Sequence, residues 1–144
     1  MARLKIILPD KFMFSTEIAI RIGDINRRSH LGHVALIGII EEARARFYRS
    51  LQDEDTVNRF DSILTDFSIV HLKQGYYPQT LRIDITVKDV ADRKFDIYYK
   101  VTDSKTRVEL ARAKSSSVCY DYSQKKVIPI PPDVREKFML SEIV

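Results

Sequence analysis

The chain has 144 residues, of which 44% are hydrophobic and 31% charged, with a formal net charge of +4. This balance is typical of a globular protein, and the length predicts a single domain over residues 1–144. No apolar run approaches the roughly 18 residues of a membrane-spanning helix. The single cysteine excludes an internal disulfide and any multi-cysteine zinc site, and it favours a reducing, cytoplasmic location.

The first half of the chain predicts one strand, a loop and a long helix. Three isoleucines at alternate positions predict a half-buried strand over residues 14–22. The polar stretch 23–32, GDINRRSHLG, is rich in turn formers and predicts a loop. Residues 34–51 then carry apolar side chains at three- and four-residue spacing, which predicts a helix. Its first half, VALIGII, is apolar on every side, so we expect it to be buried all round.

The second half of the chain predicts an antiparallel sheet followed by a short helix. Period-two alternation and short polar turns indicate four strands, over residues 63–73, 81–87, 95–101 and 108–122. Strands joined by short turns pair in antiparallel fashion. Pro129, Pro131 and Pro132 end the sheet, and Asp133 can cap a helix through Met139. The element order predicts an α+β fold in which a curved antiparallel sheet wraps around one long central helix.

Four polar side chains that can carry chemistry immediately precede the predicted helix: Asp24, Asn26, His30 and His33. The first amides of a helix lack intrahelical partners and carry partial positive charge. A carbonyl oxygen placed against the amides around Gly32 to Val34 would meet an oxyanion hole of the kind that acyl transfer needs. The structural alternative is that the acid and amide form Asx turns while a histidine caps the helix. Metal binding is a poorer interpretation, because further ligands at zinc-site spacing are absent.

Two acidic residues lie midway along the predicted helix. If Glu42 is buried under the sheet, it can serve as a base or nucleophile. Its spacing from Arg46 equally predicts an ordinary helix ion pair, as does the spacing of Glu41 from Arg44. We favour the ion pair for Glu41 and keep both interpretations for Glu42.

Two residues of the predicted strands are interpreted as structural. His71 is a lone histidine between apolar neighbours in a strand. Cys119 lies near a strand end without a neighbouring base, so it is expected to be a small core residue and not a nucleophile.

Several segments, in this order, resemble one protein family. They are the opening strand with GDIN at 23–26, LGHV at 31–34 followed by EEARARF at 41–47, FSIVHLKQGYYPQTLRI at 67–83, and ARAKSSSVCYD at 111–121. This order resembles the hotdog-fold acyl-CoA thioesterases, on the branch of the 4-hydroxybenzoyl-CoA thioesterases. The resemblance covers roughly residues 14 to 123. It implies the hotdog fold for the predicted sheet and helix.

The resemblance also implies an activity: hydrolysis of acyl-CoA thioesters to free acid and coenzyme A, with no cofactor. The site would lie between two subunits of a homodimer or homotetramer. Asn26 stands where this branch carries its catalytic Asp, and an amide cannot act as a general base. The task then falls to another group, or Asn26 orients a water that another group activates. We rank His30 as base with Asp24 as its orienting acid first, place His33 near the oxyanion site, and put Glu42 last.

Coenzyme A also needs cations for its phosphates. By resemblance, Arg93 and Lys94 in the predicted hairpin are the first candidates, and Arg112 and Lys114 are further ones unless they form a solvated face.

Two rival functions remain: a non-catalytic acyl-CoA-binding protein, suggested by Asn26, and a 3-hydroxyacyl thioester dehydratase using His33 and Glu42. Because the basic residues are dispersed among acids, we expect no nucleic-acid partner; neither is a membrane partner expected.

Overall fold

The computed structural model describes residues 3–52 and 61–143. Its helices and strands follow the chain as β1 (Phe14–Ala19), a 3₁₀ turn (Ile22–Asp24), α1 (His33–Ser50), β2 (Ser62–His71), β3 (Thr80–Lys88), β4 (Lys94–Asp103), β5 (Glu109–Asp121), β6 (Lys126–Val127) and α2 (Pro132–Ile143). The strand order is β1-β3-β4-β5-β2, with β6 paired to β5, and every pairing is antiparallel. None of the helices in the described ranges is long and apolar enough to cross a membrane.

The core lies between α1 and one face of the sheet. The helix buries a stripe of apolar side chains, as its spacing predicts: Leu36, Ile40, Ala43, Phe47 and Leu51. The central strands bury alternate residues against that stripe: Leu81, Ile83, Ile85 and Val87 of β3, and Phe95, Ile97, Tyr99 and Val101 of β4. Each fully buried Val, Leu, Ile or Phe side chain among them contributes on the order of 1.5–3 kcal/mol. The predicted α+β arrangement of a curved antiparallel sheet around a central helix is confirmed.

The small residues of β5 make room for polar side chains between the sheet and α1. Ser115, fully buried, hydrogen-bonds the hydroxyl of Tyr99 at 2.8 Å, and the guanidinium of Arg44 donates to the same hydroxyl at 3.4 Å. Burial raises the pKa of Tyr99. It also raises the pKa of Tyr48, on the neighbouring turn of α1, to about 12. Both phenols therefore stay protonated at neutral pH, and the helix passes closely over this part of the sheet.

One expectation about α1 is wrong: its first half is not buried all round. Val34 is 82% exposed, and a Cβ added to Gly38 would meet nothing within 4 Å. The sheet covers only one side of the helix, so apolar residues on the opposite side remain open in the single chain.

The first strand is shorter than predicted. It ends at Ala19, and Ile22, predicted to be the last buried position, is 66% exposed. The cause is local, because the Asp24 carboxylate accepts the backbone amide of Arg21 at 2.8 Å and folds the chain into the 3₁₀ turn. Two features at the other end differ as well: β6 was not expected, and α2 runs beyond Met139.

Candidate active site

Backbone hydrogen bonds hold the loop before α1 against the connection between β2 and β3. The amide of Leu31 donates to the carbonyl of Gly75 at 2.8 Å. The amide of Gly32 donates to the carbonyl of Asp24 at 3.0 Å. A Cβ added to Gly75 would lie 3.2 Å from side-chain atoms of Leu31 and Leu110, which would have to shift by a few tenths of an ångström to admit it. The start of the helix is therefore fixed relative to the end of β2.

The side chain of Asn26 shapes this loop. Its Oδ1 accepts the amides of Arg28 at 3.0 Å and His30 at 3.2 Å, and Ser29 between them has a φ of 65°. This is the Asx turn that the structural interpretation expects. These bonds use only Oδ1, which leaves the two donors on Nδ2 for another partner.

The start of α1, where the sequence predicts amides that bind an oxyanion, has free amides, but that of Gly32 is not one of them because it donates to the carbonyl of Asp24. The helix begins at His33, and its N-cap residue, Gly32, has no side chain to cap the first turn. The amide of Leu36 is the first to bond back to Gly32, at 2.9 Å. The preceding amides of the turn have no acceptor within the helix, so they can bind an oxygen that carries negative charge.

A cavity of about 410 Å³ opens beside this first turn. All three histidines of the chain line it, although they come from the loop, from α1 and from β2. The remaining lining is partly apolar and partly polar, from Asn26, Leu31, Leu36, Leu72, Lys73, Gln74, Gly75 and Leu110. The volume falls within the range of small-molecule sites in proteins.

Two of these histidines are in direct contact. Nδ1 of His33 lies 2.9 Å from Nε2 of His71, and the ring centroids are 5.0 Å apart. One nitrogen must donate and the other accept, so the neutral pair holds a single proton between the rings. Burial, and to a smaller degree the neighbouring His33, lower the pKa of His71, which therefore stays neutral at pH 7.

His71 lines the candidate site, although the sequence analysis interpreted it as structural. As a lone strand histidine it carries no local motif, and only the fold brings it to the helix. β2 is antiparallel to β5, and its last residue, His71, pairs with Ala111 on the face that α1 covers. The only sequence signal is positional: the last residue of a strand lies at the end of the sheet where the helix begins.

The third histidine, His30, does not have the partner expected for it. Its ring makes an edge contact with Tyr76, with centroids 5.4 Å apart. The Asp24 carboxylate instead binds Arg21, accepting its amide at 2.8 Å and its guanidinium at 3.3 Å. The backbone bond, followed by the guanidinium, holds the pKa of Asp24 below its ordinary value despite burial. The expected pairing of Asp24 with His30 is therefore not found, because Arg21 occupies the acid.

Asp24 and Glu42 share a different cavity, of about 550 Å³, between β1 and α1. Glu42 forms the predicted ion pair with Arg46 at 3.2 Å, and that guanidinium also donates to the carbonyl of Glu17 at 2.9 Å. The predicted pair of Glu41 with Arg44 is present at 3.5 Å. Neither glutamate is among the residues that line the histidine cavity.

The basic residues expected to bind coenzyme A lie far from the histidine cavity of the same chain. Lys94 pairs with Val118, whereas His71 pairs with Ala111, seven residues along β5, so about 23 Å separates these positions. Arg93 donates to the carbonyl of Val127 at 3.1 Å. The cavity has a different cation in its lining, Lys73.

The other basic candidates and the cysteine occupy structural positions. Arg112 forms two hydrogen bonds of 2.9 Å with Glu109, and Lys114 lies 3.6 Å from Asp96. Cys119 is fully buried, as expected, and burial raises the pKa of its thiol to about 11. Within ranges 3–52 and 61–143, no group of three or more His, Cys, Asp or Glu side chains is placed to hold a metal ion.

Comparisons with known proteins agree with this architecture. The chain matches a family model described as the thioesterase-like superfamily over residues 20–138. None of the curated protein sequences compared with it matches significantly.

Solved structures similar to the chain include three from bacteria. A predicted thioesterase from Bacillus stearothermophilus has a TM-score of 0.79 and 19% identity, covering 89% of this chain and 95% of that one. A thioesterase-superfamily protein from Jannaschia sp. CCS1 has a TM-score of 0.82 and 16% identity, covering 94% of this chain and 87% of that one. A 1,4-dihydroxy-2-naphthoyl-CoA thioesterase from Synechocystis has a TM-score of 0.74 and 20% identity, covering 87% of this chain and 94% of that one. These likenesses confirm the predicted hotdog fold.

Proposed function

The chain belongs to the thioesterase-like superfamily, and we propose that it hydrolyses acyl-CoA thioesters in the histidine-lined cavity beside the start of α1. The observation that carries this proposal is the cavity itself, which three imidazoles line and which opens beside the uncapped first turn of α1. Hydrolysis of a thioester needs a site for the developing oxyanion and a base for water. Both are available there, and no cofactor is required for either.

In the proposed reaction the thioester carbonyl oxygen lies against the amides of His33 and Val34, since the amide of Gly32 is bonded to the carbonyl of Asp24. Those amides stabilise the negative charge that grows on the oxygen as water adds to the carbonyl carbon. A histidine accepts the proton of the water, and Asn26 orients that water or the carbonyl through Nδ2. Collapse of the tetrahedral adduct breaks the carbon–sulfur bond, and the leaving thiolate takes up the proton. The products are the free acid and coenzyme A.

We further propose that the functional unit is a homodimer or a homotetramer whose subunits complete each other's sites. Support comes from apolar residues left open around the site, where Val34 is 82% exposed and Leu72 is 43% exposed. The sheet also ends in two strands, β1 and β2, that pair on one side only. A second subunit on this surface would cover the open side of α1.

Binding of the coenzyme A phosphates by Arg93 and Lys94 then requires a substrate held at the site of the other subunit. Replacing both by Ala is expected to raise KM about 10-fold and to spare kcat, since contacts made equally in ground and transition states affect binding only. The measurement is steady-state thiol release. The double variant Lys5→Ala/Arg49→Ala, which removes the same two charge types from exposed positions, should keep the wild-type KM. A loss of kcat at unchanged KM would contradict this role.

Asn26 has a different expected signature. Asn26→Ala should lower kcat by about 10- to 1000-fold, the range that one preorganised donor supplies. Asn26→Asp places a carboxylate that can still accept the amides of Arg28 and His30, so the loop should survive and activity should be kept or rise. Thermal unfolding of both variants separates a loop defect from lost catalysis. If neither change alters kcat, Asn26 is a turn residue and nothing more.

The proposed activity is tested by thiol release from a panel of aliphatic and aromatic acyl-CoA thioesters. We expect release well above the uncatalysed rate for at least one member. Tight binding without release would instead indicate an acyl-CoA-binding protein, for which Asn26 at the usual position of the acid is the argument. Loss of water from a 3-hydroxyacyl-CoA without thiol release would indicate a dehydratase.

A further inference from the structure

No carboxylate lines the histidine cavity among the residues that the structure describes. The two acids that the sequence offers as catalytic candidates are held elsewhere, Asp24 by Arg21 and Glu42 by Arg46, and both line the other cavity. Of the side chains that line this space, the imidazoles are therefore the candidates for a base that activates water. The contact between His33 and His71 distinguishes these two imidazoles from His30, whose neighbour is the Tyr76 ring.

We propose that His33 is the general base of the thioesterase reaction and that His71 positions it by accepting the Nδ1 proton of His33 on its own Nε2. This inference rests on the proposed function. In this tautomer the lone pair of His33 lies on Nε2, the nitrogen that is free to meet a water molecule. His71 would thus take the orienting task that a carboxylate performs in many histidine-dependent hydrolases.

The proton and electron balance of this step is complete without another reagent. As the water oxygen bonds to the carbonyl carbon, its proton moves to Nε2 of His33 and the carbonyl π electrons move to oxygen. The imidazolium then donates its Nδ1 proton in a stronger hydrogen bond to His71. When the carbon–sulfur bond breaks, the Nε2 proton passes to the thiolate, and His33 is again neutral.

The surroundings of His71 suit an acceptor that remains uncharged. His33 faces it from α1, the Arg3 guanidinium binds its backbone carbonyl at 2.7 Å, and its partner on β5 is the uncharged Ala111. The other charged or titratable groups near it are His30 and Lys73 in the cavity and the Arg112–Glu109 ion pair along β5. Partial burial, and to a smaller degree the neighbouring His33, disfavour a positive charge on His71, so it can accept the proton of His33.

The test compares His71→Leu with His71→Gln. Leu cannot accept a hydrogen bond, so kcat should fall about 10- to 100-fold at similar KM, and the acidic limb of the kcat–pH profile should move to lower pH. The shift has this sign because the lost acceptor no longer stabilises the protonated form of His33. The amide oxygen of Gln can replace Nε2, so this variant should keep both the limb and most of kcat. Asp66→Asn, an exposed change on the same strand, is the matched control.

A second readout does not depend on turnover. Long-range ¹H–¹⁵N spectra of the wild-type imidazoles should show the proton of neutral His33 on Nδ1, and His71→Leu should remove that preference. If the wild type releases thiol but His71→Leu keeps its kcat and pH limb, or if His33 carries its proton on Nε2, this inference is wrong and the proposed function stands. If the wild type releases no thiol from any substrate, both are wrong.

Discussion

His33→Gln is expected to lower kcat by about 100- to 10,000-fold, the range that a positioned general base contributes. The side chain lies on the first residue of α1 at an exposed position, so the substitution should leave the helix intact. Because the amides of the first turn belong to the backbone, the oxyanion-binding element also survives, and KM should change little. Steady-state thiol release measures both constants.

The comparison that makes this result specific is His30→Gln. His30 lines the same cavity, but the ring contact that residues 3–52 and 61–143 give it is with Tyr76 and not with an orienting acceptor, so we expect a loss of less than about 10-fold. In the wild type, kcat should rise with pH through about 6 to 7, where imidazoles lose their second proton. A larger loss in His30→Gln than in His33→Gln would restore the ranking expected from the sequence. Abolished turnover in Glu42→Gln would move the chemistry to the other cavity.

Phe47→Ala is expected to reduce the free energy of unfolding by about 3–5 kcal/mol. Phe47 is 1% exposed in the core, and its ring lies 5.6 Å from that of Phe14 on β1 and 5.9 Å from that of Tyr48. Its removal leaves a cavity where α1 docks onto the sheet, and this docking also sets the position of His33. Denaturant unfolding measures the change.

An exposed aromatic provides the control for this experiment. Tyr122 is 57% exposed, so Tyr122→Ala should change the free energy of unfolding by less than about 0.5 kcal/mol. A loss of under 1 kcal/mol in Phe47→Ala would mean that the helix is held by contacts other than this apolar stripe.

The periodicity of apolar residues in the sequence was sufficient to predict the arrangement of sheet and helix. Alternation in residues 81–87 and 95–101 identified the two central strands, and the stripe through Leu36 and Phe47 identified the buried side of the helix. It was not sufficient where a polar contact overrides an apolar pattern. Ile22 fits the alternation of a strand, but the Asp24 carboxylate turns the chain before it. Nor could periodicity show that the sheet covers only one side of α1.

The site was predictable only in part, for a similar reason. The loop and the helix start are contiguous in sequence, so Asn26, His30 and His33 could be grouped without a structure. His71 is 38 residues from His33, and their contact depends on the pairing of β2 with β5. Proximity in sequence was also misleading, because Asp24 is close to His30 along the chain yet lines a different cavity.

The most direct test of the account is a crystal structure of the protein with a non-hydrolysable acyl-CoA analogue. We expect the analogue's carbonyl oxygen to lie about 3 Å from amides at the start of α1. Nε2 of His33 should face the carbonyl carbon across a gap that one water fills. A carbonyl located between β1 and α1, beside Asp24 and Glu42, would contradict it.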